Sequence, residues 1–240
     1  MLKKFFLAGA ASIALTGAAQ AADIIEPTAY DWTGPYVGLQ GGYAWGENDV
    51  EVDGEPTPAL AVVLFPPEDG EIDIDGWMGG LHLGYLWQHD SFVFGVEGDG
   101  EFADIDGRED VVEFDDGPTI GEIEQEIDWL ASLRLRAGFA WDRALFYATG
   151  GLAVGGVELS ADFDQGDSES KDKTEWGWTV GGGVEYAFSD ALSGRVEYRY
   201  TDLGKTKVSD VDTGFGAFDF EADNTFHAVR AGLSWHFGAM

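Results

Sequence analysis

One segment of the chain alternates strictly between bulky aromatic side chains and small or charged ones. In residues 175–188, Trp176 and Trp178 lie on one face, while Thr179, Glu185 and several glycines lie on the other. Successive side chains of a β-strand point to opposite faces, so this pattern predicts a strand with one aromatic face. The opposite face is too small and polar to be the exterior of a soluble sheet. The segment therefore favours a strand that shows its rings to lipid.

The same division recurs in residues 127–141, 192–202 and 225–237. In residues 194–200, which read GRVEYRY, the charged side chains alternate with valine and tyrosine. Five arginines of these segments fall on the face opposite the aromatic side chains: Arg134, Arg136, Arg195, Arg199 and Arg230. We expect the rings to contact lipid and the guanidinium groups to point into a lumen.

Eight alternating segments, each long enough to cross a bilayer as a tilted strand, divide the chain. Tight turns at 89–91, 142–143 and 189–191 follow the second, fourth and sixth segments, whereas the other connections are long. Short periplasmic turns and long outer loops are typical of outer-membrane barrels, so the sequence predicts an all-β, eight-stranded antiparallel up-and-down transmembrane β-barrel. The segments are roughly 36–46, 76–88, 92–104, 127–141, 144–158, 175–188, 192–202 and 225–237.

Aromatic side chains gather at both ends of these segments, as in the two girdles at the membrane interfaces. Among these, Trp45, Trp77 and Trp176 are expected near the loop end of the barrel. Trp87 and Trp141 are expected near the turn end. A soluble eight-stranded barrel of the lipocalin kind would have to pack all these rings in one small lumen. The transmembrane interpretation is therefore favoured over the soluble one.

The first residues predict export. Lys3 and Lys4 precede a short apolar stretch and an Ala-Gln-Ala pattern, which is typical of a secretory signal peptide over residues 1–21, cleaved after residue 21 or 22. We expect a periplasmic lead-in over residues 22–35 and an outer-membrane barrel over residues 36–240. Cleavage would leave 11 basic and 45 acidic side chains, a formal charge of −34. Such a surface repels nucleic acid.

The acidity concentrates in the predicted outer loops, residues 47–75 and 104–128. The fragment DIDG occurs at 73–76 and at 104–107, and DVDTG occurs at 210–214. These fragments lack the twelve-residue loop and the closing glutamate of an EF-hand, so we predict no dedicated metal site. Divalent cations that bridge the acidic loops to outer-membrane lipid and lipopolysaccharide are a further expectation.

The inward-facing charges are the candidate functional residues. The turn at 189–191 sets Phe188 opposite Leu192 and thus Glu185 opposite Arg195, so Glu185→Ala is expected to leave Arg195 buried and unpaired. An eight-stranded barrel is just wide enough for side chains to fill it, which favours a plug of ion pairs over a narrow selective pore lined by the same groups. The predicted network consists of Glu97, Asp99, Glu101, Arg134, Arg136, Glu185, Arg195, Glu197, Arg199 and Arg230.

Catalysis and cofactor binding are not predicted. His82 and His236 share the inward parity, His89 is expected in a turn and His227 is expected to face outward. No serine or carboxylate is fixed beside any of them by local spacing, and none of the four lies in a long loop where it could bind haem. The sequence therefore predicts neither an enzyme nor a cofactor.

Four stretches resemble the alphaproteobacterial small outer-membrane β-barrel proteins, a porin family within the OmpA-like transmembrane barrels. They are DWTGPYVGLQGGYAWG at 31–46, FGVEGDGEFADI at 94–105, LRLRAGFAWDRALFYATGGLAVG at 133–155 and GWTVGGGVEYAFSDALSGRVEYRYTDLG at 177–204. The resemblance implies a structural role in the outer membrane, with porin activity or haemin binding as alternatives. It also implies insertion by the barrel assembly machinery, which a C-terminal aromatic residue of the family members assists. In this sequence three residues follow the aromatic Phe237.

Overall fold

The computed structural model describes residues 30–54, 70–112, 119–163, 169–212 and 217–237. They form eight antiparallel strands, each hydrogen-bonded to the next, and β1 pairs with β8 to close a barrel. The predicted fold is therefore confirmed. The strands are β1 Gly34–Gly54, β2 Gly70–His89, β3 Phe92–Val112, β4 Thr119–Trp141, β5 Ala144–Phe163, β6 Glu169–Ala187, β7 Leu192–Asp212 and β8 Ala217–His236.

Tight turns join the strands at one end of the barrel. Asp90 and Asp142 have positive φ angles of 53° and 55°, a left-handed conformation that aspartate tolerates better than most residues. Phe188 donates its backbone N–H to the carbonyl of Leu192, at 2.9 Å, as the predicted register requires. His89 ends β2 rather than lying within the turn, which corrects its predicted place.

The strands continue far into the segments that were predicted to be long loops. β1 and β2 together contain residues 47–54 and 70–75, and the two DIDG fragments lie on β2 and β3. In these fragments Ile74 and Ile105 are buried while the neighbouring aspartates are exposed. The alternation of aspartate and isoleucine is therefore a strand period rather than a calcium-binding loop.

The outward face divides into a lipid band and an acidic extension. On β3 the exposed apolar side chains run from Phe92 to Phe102, and Asp104, Asp106 and Arg108 follow. The apolar band of an outer-membrane barrel is about 25 Å tall, whereas tilted strands of this length reach roughly 50 Å along the axis. About half of the barrel therefore extends beyond the outer interface.

The predicted signal peptide and the first part of the lead-in, residues 22–29, lie outside the described residues, as do residues 213 and 214 of the DVDTG fragment. In the described part of the chain, no helix is long and apolar enough to cross a membrane.

Candidate functional site

The lumen is the candidate site because it holds the buried polar side chains of the barrel. Inward-facing glycines fit closely against the strands that carry the arginines: a Cβ added at Gly42 would lie 2.6 Å from Cγ of Arg230, and one at Gly151 would lie 2.6 Å from the backbone Cα of Arg134. Small residues on one strand therefore let the neighbouring strand pack closely.

The structure brings all ten predicted lumen residues together in one layer. Five arginines and five carboxylates form it, so its formal charge is zero, and each of the ten side chains belongs to a residue that is at most 8% exposed. Arg108 is a further arginine on a strand, which the sequence interpretation had assigned to a loop; it is exposed and pairs with Glu124 at 2.6 Å. The buried layer thus contains only the arginines predicted to face inward.

Glu97 lies at the centre of one half of the layer. Its carboxylate accepts hydrogen bonds from Arg134, Arg195 and the hydroxyl of Tyr36, and Arg136 approaches within 3.6 Å. Three guanidinium groups therefore surround one carboxylate that is buried from water.

Glu197 and its neighbours form the other half. Glu197 accepts hydrogen bonds from Arg134, at 2.8 Å, and from Arg230. Asp99 bonds Arg199 at 3.0 Å and Arg134 at 2.9 Å. Because Arg134 contacts carboxylates of both halves, the ion pairs form one connected network.

Glu185 and Arg195 lie opposite each other, which confirms the predicted register. They do not form the predicted ion pair, however. Arg195 binds Glu97, which lies on β3, whereas Glu185 accepts hydrogen bonds from Arg136 and Ser193. Arg195 therefore reaches across the lumen to a distant strand, whereas Arg134 on β4 pairs with Glu97 and Asp99 on the adjacent β3.

Several uncharged residues that the sequence interpretation missed complete the network. Gln40 donates to Glu101 at 2.9 Å and accepts from Arg195, and Ser132 donates to Asp99 at 2.6 Å. Arg136 lies 3.6 Å over the ring of Tyr147, a cation–π contact. The positions of Gln40 and Tyr147 in the alternation of their strands could have predicted that both side chains point into the lumen.

On the outer side, an apolar layer covers the charged layer, and amide side chains lie among its outermost members, since Asn48 is opposite Ile72 and Thr206 is opposite Ala222. There, Asn48 donates to Gln125 at 3.2 Å, Gln125 donates to Asn224 at 2.7 Å, and Asn224 donates to Thr206 at 3.0 Å. The outer half of the barrel therefore has a packed core of its own. Its apolar layer consists of Ala44, Ile72, Ile74, Met78, Ile105, Ile127, Leu130, Ala153, Val157, Leu203, Ala222, Phe226 and Ala228.

On the turn side, the end of the lead-in covers the charged layer. Trp32 is fully buried, its ring lies 4.7 Å from that of Tyr30, and its backbone N–H donates to Gln88 at 2.8 Å. The Tyr30 hydroxyl donates to the carbonyl of Asp190 at 3.2 Å, and burial raises the pKa of Tyr30 to about 12. Residues 30–33, the cap, thus close the mouth of the barrel on the turn side.

The four histidines lie in different surroundings. Ser193 Oγ lies 2.9 Å from Nε2 of His236, but Glu185 approaches the same nitrogen at 3.4 Å. A serine–histidine–acid triad requires the acid at Nδ1, so this arrangement lacks the geometry of a triad. His82 is buried and faces inward, and His227 lies outward between aromatic rings. Among the described residues, no three His, Asp or Glu side chains are placed to hold a metal ion.

Relatives of the chain are outer-membrane proteins. The model of the outer membrane protein beta-barrel domain family matches residues 8–237. The 31 kDa outer-membrane immunogenic protein of Brucella melitensis is 35% identical over 98% of this chain and 100% of that protein. The 22 kDa outer membrane protein of Rhizobium leguminosarum is 33% identical over 68% of this chain and 67% of that protein.

Among solved structures, the outer membrane protein OprG from Pseudomonas aeruginosa has the same fold, with a TM-score of 0.52 and 15% identity over 87% of this chain and 99% of that one. The barrel topology and the alphaproteobacterial relatives agree with the resemblance found in the sequence. The chain therefore belongs to the outer membrane protein beta-barrel domain family and is a protein of the cell outer membrane.

Proposed function

We propose that the protein is a closed, non-conducting barrel with a structural role in the outer membrane, that it presents an acidic outer surface, and that it is not an enzyme. The observation that carries this proposal is the neutral layer of five arginines and five carboxylates that fills the lumen. An ion that crossed this layer would have to displace charged groups that are already paired with one another and buried.

The apolar and aromatic layers support the same conclusion. Ile74, Ile127 and Phe226 are at most 2% exposed in the outer apolar layer, and Trp32 is fully buried in the cap. A permeating ion would lose its hydration in both places, at a cost of several kcal/mol per ion. Rearrangement of the ion pairs alone therefore does not open a path.

The outward face beyond the lipid band supports a role in surface charge. Asp75, Asp106, Glu126 and Glu158 lie directly opposite one another on four successive strands. Carboxylates in such a row repel each other, so divalent cations that bridge them to lipopolysaccharide phosphates would stabilise the barrel. The names of two relatives, the 31 kDa and 25 kDa outer-membrane immunogenic proteins, support a place for the protein in the outer membrane.

Single-channel recording in planar bilayers tests the closed lumen. We expect purified protein to give no reproducible conductance steps under conditions in which a large porin, reconstituted in parallel, gives clear steps. Defined steps that persist after repurification, and that change size in the variant Arg199→Gln, would support a channel instead and overturn the proposal.

A further inference from the structure

The barrel wall loses its backbone pairing at one boundary, between the outer parts of β6 and β7. The β6–β7 register runs from Ala187↔Ser193 to Trp178↔Asp202, and within the described residues no pair joins residues 169–177 of β6 to residues 203–212 of β7. β6 nevertheless pairs with β5 as far as Glu169, and β7 pairs with β8 as far as Asp212. Each strand therefore has one open edge, and the two open edges face each other.

Other interruptions of the wall are shorter, and side-chain hydrogen bonds bridge both the β1–β8 gap and the β6–β7 gap, the latter from Thr206 Oγ1 to Glu175 Oε1 at 3.4 Å. The β1–β8 ladder skips residues 46–49, but Asn48 accepts hydrogen bonds from the backbone N–H and the hydroxyl of Thr225, both at 3.0 Å. The β2–β3 register ends at Asp75↔Asp106, which leaves residues 70–74 and 107–112 outside it. The β6–β7 opening is therefore the longest among the described residues.

Every lysine in the described part of the chain lies on these two open segments. Lys171 and Lys173 lie on β6, and Lys205 and Lys207 lie on β7. This placement does not follow from the acidity of the chain, because the carboxylates are distributed over strands on all sides. Lysine on an open strand edge is a recurrent means of preventing the edge from pairing with another chain.

Two further features at the β6–β7 boundary also oppose pairing with another chain. Lys173 shares the inward parity of Thr179 and lies 3.8 Å from Glu175, so a strand that paired here would bury a charged pair. Gly204 has a φ of 78°, and the β7–β8 register shifts between Asp202 and Lys205, which marks a bulge. Inward charges and bulges both oppose edge-to-edge pairing.

We propose that Lys171, Lys173, Lys205 and Lys207 prevent the open edges of β6 and β7 from pairing with the same edges of a second copy of this chain. Lys205 contributes through its charge and length although Glu221 and Asp223 lie 3.5 and 3.7 Å from its ammonium group. Without these lysines, the edges offer backbone groups that no β6–β7 pair uses over nine or ten residues, apart from Gly204, whose N–H donates to Asp202 and whose carbonyl accepts from Asn224.

The test replaces all four lysines by threonine, a good strand former, and measures the molar mass of the folded barrel in detergent by size exclusion with light scattering. The substitutions make the chain more negative, so general repulsion increases and any association must come from the edges. We expect the dimer fraction at a given concentration to rise about tenfold or more. A folded, monomeric threonine variant would overturn the proposal.

Two matched controls separate edge pairing from charge loss. Replacement of the four lysines by arginine keeps the charge and is expected to leave the barrel monomeric. The second control replaces Asp106 by asparagine and Glu126 and Glu158 by glutamine. It removes charges from strands that are paired on both sides at these positions, and the barrel should again remain monomeric. Association of this second control to the same extent would contradict an edge mechanism.

Acetylation of the folded protein provides the same test without refolding, and it decides the outcome if the threonine variant does not fold. Mass spectrometry identifies the modified lysines. Because the chain has no cysteine, Thr174→Cys on the β6 edge then reports the contact, with Asp128→Cys as a control on β4. We expect disulfide-linked dimers of the acetylated protein through position 174 but not through position 128; equal yields, or none, would refute the proposal.

Discussion

Replacement of Glu97 by glutamine is the sharpest perturbation of the charged layer. The carboxylate contacts Arg134, Arg136 and Arg195 and is 1% exposed. Glutamine has nearly the same shape, so little cavity is created and the effect is mainly electrostatic. The layer would change from five positive and five negative groups to five and four, and one excess charge would remain away from water.

Removal of one partner of a buried ion pair costs about 3–5 kcal/mol. Arg134 keeps Asp99 and Glu197 as charged partners, whereas Arg195 keeps its hydrogen bond to the uncharged Gln40, so most of the loss should fall on Arg195. The double variant Glu97→Gln with Arg195→Met restores the charge balance. We expect it to recover about 1–3 kcal/mol relative to the sum of the single changes.

The free energy of unfolding is measured by urea titration of the barrel in lipid vesicles, with tryptophan fluorescence as the signal. Asp104→Asn on the outward face of the same strand is the matched control and should change stability by less than about 0.5 kcal/mol. If Glu97→Gln and Asp104→Asn shift the transition equally, the buried network does not stabilise the barrel as inferred.

Three further predictions concern the lumen packing, the cap and the acidic row. Gly151→Ala should lower the melting temperature because the added Cβ would lie 2.1 Å from the carbonyl oxygen of Leu133. Gly100→Ala is the control and should be tolerated, because its added Cβ would have no atom within 4 Å. Equal melting temperatures of the two variants would contradict the close packing at Gly151. Trp32→Ala should cost about 3–5 kcal/mol of unfolding free energy, and an unchanged urea midpoint would show that the cap is dispensable. Burial and the surrounding carboxylates raise the pKa of Glu126, so protonation or a bound cation favours the folded state; Mg²⁺ should raise the melting temperature less in Glu126→Gln than in the wild type, and an identical rise would exclude the row as its site.

The fold was predictable because a strand inside a membrane has two faces with opposite chemistry. Trp178 and Glu185 on one strand already distinguish the lipid face from the lumen face. The turn at Ser189–Ala191 also fixed the register of β6 and β7, since a short turn permits few pairings. Local pattern and turn length therefore sufficed for topology and for side-chain orientation.

The partner of Arg195 was not predictable in the same way. Arg195 and Glu97 are 98 residues apart in the chain and meet only because the barrel closes. The length of the strands was missed for a different reason: the acidic segments were interpreted as solvated loops although Ile72 and Ile74 alternate with acids. Beyond the bilayer the lumen becomes apolar and the exterior charged, so the polarity of the two faces reverses while the strand period continues.

Labelling with a photoactivated carbene reagent dissolved in the bilayer tests the central claim most directly. Leu133 and Leu135 are 65% and 69% exposed on the lipid face of β4, whereas Arg134 and Arg136 between them are buried. The structure predicts label on both leucines and none on the two arginines, with residues read by fragmentation mass spectrometry. Label on the arginines, or its absence from the leucines, would contradict a barrel with lipid outside and ion pairs within.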